Sequence, residues 1–135
     1  MGNKKDLEKP IVLLVYEAST MRILIERNIK KQNSLVLYSS TYSSVTYIRD
    51  ALKIDCLVVQ LKMSSHILDA LDVTRALRAR FPKCPVLVFS ESLPEDPRYS
   101  FLNKKNNIEF LSTPLDALFL GKKIKKAITT VPKLE

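Results

Sequence analysis

The chain alternates between short, wholly apolar runs and longer segments in which apolar positions recur every three or four residues. Ile11–Val15 is the first run, with Pro10 before it. Its brevity and Val/Ile content predict a strand buried on both faces. Ser19 or Thr20 can then cap a helix whose inward stripe is Met21, Leu24, Ile25 and Ile29. Leu35–Tyr38 predicts a second strand, and residues 39–44 a loop rich in capping residues. Val45, Ile48 and Leu52 mark a second helix. Cys56–Val59 predicts a third strand and residues 62–66 a loop. Leu68, Leu71, Leu77 and Phe81 outline a third helix, stopped by Pro82.

Pro85–Ser90 predicts a fourth strand, residues 93–97 a loop, and residues 98–105 a short fourth helix. Asn106 and Asn107 supply a left-handed stop, which Asn tolerates better than most residues. Ile108–Leu111 predicts a fifth strand. Pro114 opens a last helix with Leu118, Ile124 and Ile128 inward. Apolar strands joined by helical crossovers predict a parallel sheet covered on both faces. The expected fold class is α/β, a flavodoxin-like doubly wound sheet of five parallel strands in the order 2-1-3-4-5. Residues 1–9 are expected to be a disordered leading segment, 10–130 a single domain, and 131–135 a tail.

Composition narrows the picture. The chain has 135 residues, 46% of them apolar, which suits one folded domain. No apolar run is long enough to span a bilayer, and no charged-then-apolar leader opens the chain. A cytoplasmic protein is therefore expected. The two cysteines, Cys56 and Cys84, make no framework, and free buried thiols are expected. The net charge of +8 permits nucleic acid or an acidic protein as partner. The basic residues are dispersed, with Lys4, Lys5 and Lys9 at the start and Arg75, Arg78, Arg80 and Lys83 in the middle. Lys122, Lys123, Lys125 and Lys126 follow in the last helix, and Lys133 in the tail. Their expected place late in that helix suits its dipole. No zinc-finger, basic-zipper or glycine-rich phosphate motif accompanies them, so nucleic-acid binding is the weaker reading. His66, the sole histidine, is expected on a surface loop.

In a parallel α/β sheet, chemistry gathers where the strands end. The residues there are Tyr16 and Glu17, Gln60, Ser90, and Ser112 and Thr113. Four segments around them, VYEASTMRILIERNI, DCLVVQLKM, FPKCPVLVFSES and FLSTPLD, occur in the order and spacing of one family. Together they resemble bacterial response-regulator receiver domains, especially of the chemotaxis type, over about residues 10–130.

The resemblance implies a definite chemistry, and it implies that this chain lacks most of the residues for it. Active receivers bind magnesium through two acids after the first strand and an aspartate after the third. That aspartate takes the phosphoryl group. A Ser or Thr after the fourth strand and a Lys after the fifth hold the phosphoryl oxygens. Here the first acidic position is Tyr16, the second keeps a carboxylate as Glu17, and the phosphoacceptor position is Gln60. Ser90 retains the hydroxyl, and Thr113 stands where the lysine would be. An amide cannot form an acyl phosphate. One carboxylate is a poor substitute for three in holding a hard cation, so magnesium binding is expected to be weak or absent. The nearest other acids are Asp55, which precedes the third strand, and Asp69, near the next helix. Neither lies at the third strand's carboxyl end.

Further expectations follow from the resemblance. Lys62 is a candidate ion-pair partner for Glu17, standing in for the lost metal. Phe110 falls at the family's aromatic switch position and is expected to stay fixed in packing. The Thr113–Pro114 peptide is expected to be cis. The fourth helix, fifth strand and fifth helix form the expected partner-binding or homodimer face, with Tyr99, Phe101, Lys104, Lys105, Phe119, Lys122 and Lys126 on it. The implied function is a stand-alone, non-enzymatic pseudo-receiver that contacts a histidine kinase or another regulator. The alternatives are an active phosphoacceptor with an atypical site, or a basic nucleic-acid-binding protein.

Overall fold

The predicted apolar runs are strands. A computed structural model describes residues 9–39, 48, 53–61, 70–90, 107–112 and 119–130. In chain order the elements are β1 (Ile11–Val15), α1 (Thr20–Lys31), β2 (Leu35–Ser39), β3 (Cys56–Gln60), α2 (Ala70–Arg80), β4 (Val86–Ser90), β5 (Ile108–Ser112) and α3 (Leu120–Thr130). The five strands are all parallel, in the order β2-β1-β3-β4-β5. Here α2 and α3 are the third and last helices expected from the sequence. Of the expected second helix, only Ile48 is described, helical and buried. The expected loops at 39–44 and 62–66, the helix at 98–105 and both chain ends lie largely or wholly outside the described residues, as does His66.

Alternation along each strand sorts its side chains to two cores. Leu13, Val15, Leu57, Val59, Val86 and Val88 pack against Val73 and Leu77 of α2. Val12, Leu14, Val58, Leu87 and Phe89 pack against Ile25 and Ile29 of α1 and Leu120 and Ile124 of α3. Both faces of the sheet are thus covered, which is why β1 and β3 read as unbroken apolar runs rather than alternating ones. Burying each such side chain stabilises the fold by roughly 1.5–3 kcal/mol.

Helix ends follow local chemistry. Ser19 is the α1 N-cap, its Oγ accepting the Arg22 N–H at 3.1 Å. Two asparagines adopt the left-handed conformation, Asn107 with φ 58° ahead of β5 and Asn33 with φ 57° after α1. The first was expected and the second was not. Within α1, Ile25 and Ile29 are buried, whereas Met21 and Leu24 only flank the core. A Cβ at Gly121 would lie 2.6 Å from Gln32 Nε2, the flexible end of the side chain that closes α1, which would have to shift to admit it.

One expectation is corrected. The lysines of α3 do not lie late in the described helix. They occupy its first two turns, and the last turn carries no basic residue. The helix dipole therefore does not account for them. Among the described residues, no helix is long and apolar enough to cross a membrane. Cys56 and Cys84 are buried and free, as expected.

Candidate functional site

The parallel registers bring the strand ends level. Val15 of β1 pairs with Val59 of β3, Gln60 with Phe89 of β4, and Ser90 with Ser112 of β5. Tyr16 and Glu17 therefore leave β1 beside Gln60, the last residue of β3, with Ser90 ending the next strand. The sequence-predicted residues Tyr16, Glu17, Gln60 and Ser90 gather at the carboxyl end of the sheet. Lys62 and Thr113 lie outside the described residues, and with them the expected Glu17–Lys62 pair and the Thr113–Pro114 peptide.

The connection between the first and third strand ends runs through Gln60. Its side-chain carbonyl Oε1 accepts the backbone N–H of Glu17 at 3.0 Å in a half-buried setting. The neighbouring N–H of Leu61 donates to Phe89 O at 2.8 Å, so the turn after β3 is held from both sides. An amide oxygen can accept one N–H where a carboxylate would, but it adds no charge.

Tyr16, at the family's first acidic position, is buried. Its ring meets Phe89 edge to face, with centroids 6.2 Å apart, and joins the core beneath α1 and α3. The Tyr16 carbonyl accepts the Tyr38 hydroxyl at 2.9 Å, tying the end of β1 to β2. The Arg22 guanidinium lies 4.6 Å above the Tyr38 ring and pairs with Glu26 at 3.3 Å. Tyr38 and Arg22 were missed in the sequence. The available signal was an aromatic near the end of an edge strand, in the element that directly follows a helix with an arginine in its first turn.

Asp55 lies at the amino end of β3, opposite to the site, as its sequence position indicated. Its Oδ2 accepts the Ile11 N–H at 2.8 Å while its own N–H donates to Ile11 O at 2.8 Å. This reciprocal pair closes β1 onto β3, and Lys53 sits 3.4 Å from the carboxylate. Asp69 lies outside the described residues. Among the described residues, no group of three His, Cys, Asp or Glu side chains is placed to hold a metal ion.

Phe110 is half-buried and packs against the core on the α2 side. On the expected partner face, Phe119 is 50% exposed and Lys122 and Lys126 are exposed on α3. Lys123 is engaged with Glu109 of β5 at 3.1 Å. Tyr99, Phe101, Lys104 and Lys105 lie outside the described residues.

No protein-family model and no curated protein matches the sequence. Solved structures do resemble the fold. A response regulator receiver protein of Sinorhizobium medicae superposes with a TM-score of 0.77 at 17% identity, covering 93% of this chain and 99% of that one. The receiver domain of a sensor histidine kinase of Pseudomonas aeruginosa, solved with magnesium in its active-site cleft, gives 0.73 at 17% identity, covering 90% and 99%. A response regulator of Thermotoga maritima gives 0.69 at 22% identity, covering 90% and 99%. Strand order, parallel registers and two-sided helical cover agree with these likenesses, and the chain has the fold of a response-regulator receiver domain.

Proposed function

We propose that this chain is a pseudo-receiver, a receiver-type scaffold that acts through protein contact without being phosphorylated on aspartate. The observation that carries the reading is the Glu17 N–H to Gln60 Oε1 hydrogen bond. It occupies the position of the family's nucleophile with a neutral amide that is committed to holding two loops together. Acyl phosphate formation needs a carboxylate there.

The surrounding residues support the same reading. Tyr16 places a buried ring where a metal-binding acid would be, and Thr113 lacks the cation that would face a phosphoryl group. The donor set of Glu17 and an engaged amide does not match the oxygen-rich, carboxylate-based coordination of magnesium. No step through that ion is assigned, and the protein is not an enzyme in this reading. Its output is contact with a histidine kinase or another regulator, or self-pairing. The surface used carries exposed Phe119 beside the lysines of α3, a combination suited to an acidic partner.

The test is incubation with acetyl phosphate and magnesium, read by intact mass, and with beryllofluoride and magnesium, read by amide resonances. No adduct and no magnesium-dependent shifts at residues 16–17, 60 and 90 are expected. A magnesium-dependent adduct would overturn the reading in favour of an atypical active receiver.

A further inference from the structure

The strand β2 ends the sheet, with β1 on one side and no strand on the other among the described residues. Leu35 donates its N–H to Pro10 O at 2.8 Å. Backbone groups alternate along a strand, so Leu35, Leu37 and Ser39 turn theirs toward β1, and Val36 and Tyr38 turn theirs outward. No described residue bonds to those outward groups. We propose that the chain pairs with a second copy of itself through this edge, β2 running antiparallel to β2 about a two-fold axis at Leu37.

The strand leaves its edge open. Natural sheets protect an edge with Pro, charge, a bulge or a covering element. The segment LVLYS has no Pro, no Gly and no charged residue. On the far edge, β5 carries Glu109, engaged by Lys123. Leu35 and Leu37 point to one face of the sheet and are 44% and 39% exposed, while Leu13, paired with Leu37, is fully buried. The apolar layer on that face therefore runs out to the last strand without being closed off.

A two-fold axis at Leu37 uses every outward group of the strand. Val36 of each copy stands opposite Tyr38 of the other and exchanges two hydrogen bonds with it, four in all. Leu37 meets its own equivalent as the closer, non-hydrogen-bonded pair, with Cα atoms about 4.5 Å apart. Leu35 lies diagonal to that pair on the same face. Such a contact closes as a dimer, whereas β2 against β5 would run on as a filament.

Charge selects a second copy over an unrelated strand. The helix α1 packs on β2, and its Arg22 lies over the Tyr38 ring. Arg22, Glu26 and Lys30, paired in series along the helix, therefore present plus, minus and plus beside the edge. Tyr38 is one residue, about 3.4 Å, from the axis. The two copies of Arg22 are then offset by about 7 Å along the strands, close to the rise of about 6 Å from Arg22 to Glu26. Each Arg22 comes level with Glu26 of the second copy, and both α1 helices lie on the same face of the joined sheet. An extended peptide would use the backbone groups alone. The contact involves neither Phe119 nor the lysines of α3, and it does not depend on the chemistry at Gln60.

The experiment follows the full chain by sedimentation velocity and by amide hydrogen exchange in dilute and concentrated solution. A monomer–dimer equilibrium is expected. The Val36 and Tyr38 amides should exchange at least about tenfold more slowly in the concentrated sample, while those of Leu35 and Leu37, bonded to β1, stay protected in both. A mixture of isotopically labelled and unlabelled chain should show a contact between the two Leu37 Hα atoms. Leu37→Lys sets like charges at the axis and should weaken pairing at least about tenfold. Glu26→Gln should weaken it about threefold, and Phe119→Ser should leave it unchanged. Urea midpoints check that the variants fold, and the exchange pattern of the unaltered chain needs no variant. A chain that stays monomeric, assemblies that lengthen with concentration, or exchange at Val36 and Tyr38 that ignores concentration would each overturn the proposal. So would pairing that survives Leu37→Lys or is lost in Phe119→Ser. Any of these results leaves the pseudo-receiver reading standing, and a phosphoryl adduct would remove that reading while leaving the dimer.

Discussion

Glu17 donates its backbone N–H to the side-chain carbonyl of Gln60 across 3.0 Å, joining the ends of β1 and β3. Parallel strands leave such ends unsupported, because the ladder stops where the chain turns away into a helix. A side chain that reaches across closes the gap.

Substitutions at Gln60 should separate this structural role from chemistry. Gln60→Met keeps the length and removes the acceptor, and should lower stability by about 1 kcal/mol, the typical worth of one hydrogen bond. Gln60→Asp restores the family's nucleophile. It should still give no adduct with acetyl phosphate, because Tyr16 and Thr113 leave both the metal and the phosphoryl oxygens without their partners. Urea midpoints check the first expectation and intact mass the second. An adduct in Gln60→Asp would show that the rest of the site remains competent.

The fold was legible in the sequence because burial on both faces leaves a blunt signature. Ile11–Val15 and Cys56–Gln60 are nearly continuous apolar runs, and their order with the helices leaves few topologies open. The site was legible only as a set of positions. Tyr16, Glu17, Gln60 and Ser90 were placed correctly at the strand ends, but the bond that joins two of them uses a backbone N–H, which no side-chain pattern reveals. The sequence also pointed to a pair of opposite charges, Glu17 and Lys62, of which Lys62 lies outside the described residues. Asn33 was overlooked for a related reason: its left-handed φ matters only once the end of α1 is known. The expected start of the last helix at Pro114 lies outside the described residues.

Tyr16 should act as a core residue. It is only 6% exposed and stacks edge to face on Phe89. Tyr16→Ala should cost about 3–5 kcal/mol, as for other large aromatic truncations, seen as a large fall in the urea midpoint. Tyr16→Asp restores an acid at this position and should be at least as damaging, because it buries a carboxylate beside an aromatic ring. A loss below about 1 kcal/mol for Tyr16→Ala would contradict the packing role.

Asp55 offers a control at the opposite end of the sheet. Asp55→Ala removes the acceptor of the Ile11 N–H, held at 2.8 Å, and the contact with Lys53. A hydrogen bond to a charged group contributes about 1.5–3 kcal/mol, and a loss of that order is expected. Asp55→Asn keeps a carbonyl oxygen at the same place and should cost less than half as much. Equal losses in the two variants would assign the effect to charge rather than to the N–H contact.

The buried thiols should make stability fall in alkali. Burial pushes the Cys84 thiol up to about 12, with nearby Arg78 partly opposing it. Burial, then the neighbouring Cys84, also raises Cys56 well above the ordinary thiol value. In the unfolded chain both thiols ionise near pH 8.5. Below that pH neither state loses a proton and the stability contributed is complete. Above it the unfolded chain sheds protons that the folded chain keeps, so stability declines with rising pH until the folded thiols ionise. For Cys84 that window runs from about pH 8.5 to about pH 12, with a limiting slope of about 1.4 kcal/mol per pH unit. Lysines and tyrosines titrate in the same range, so the measurement is a difference. Urea midpoints of the unaltered chain and of Cys84→Ala, taken at pH 7.5, 9 and 10.5, should converge as pH rises. Alkylation by iodoacetamide at pH 8 should be slow for both cysteines until urea unfolds the chain. A midpoint difference independent of pH, or rapid alkylation of the folded chain, would place at least one thiol within reach of solvent and contradict its burial.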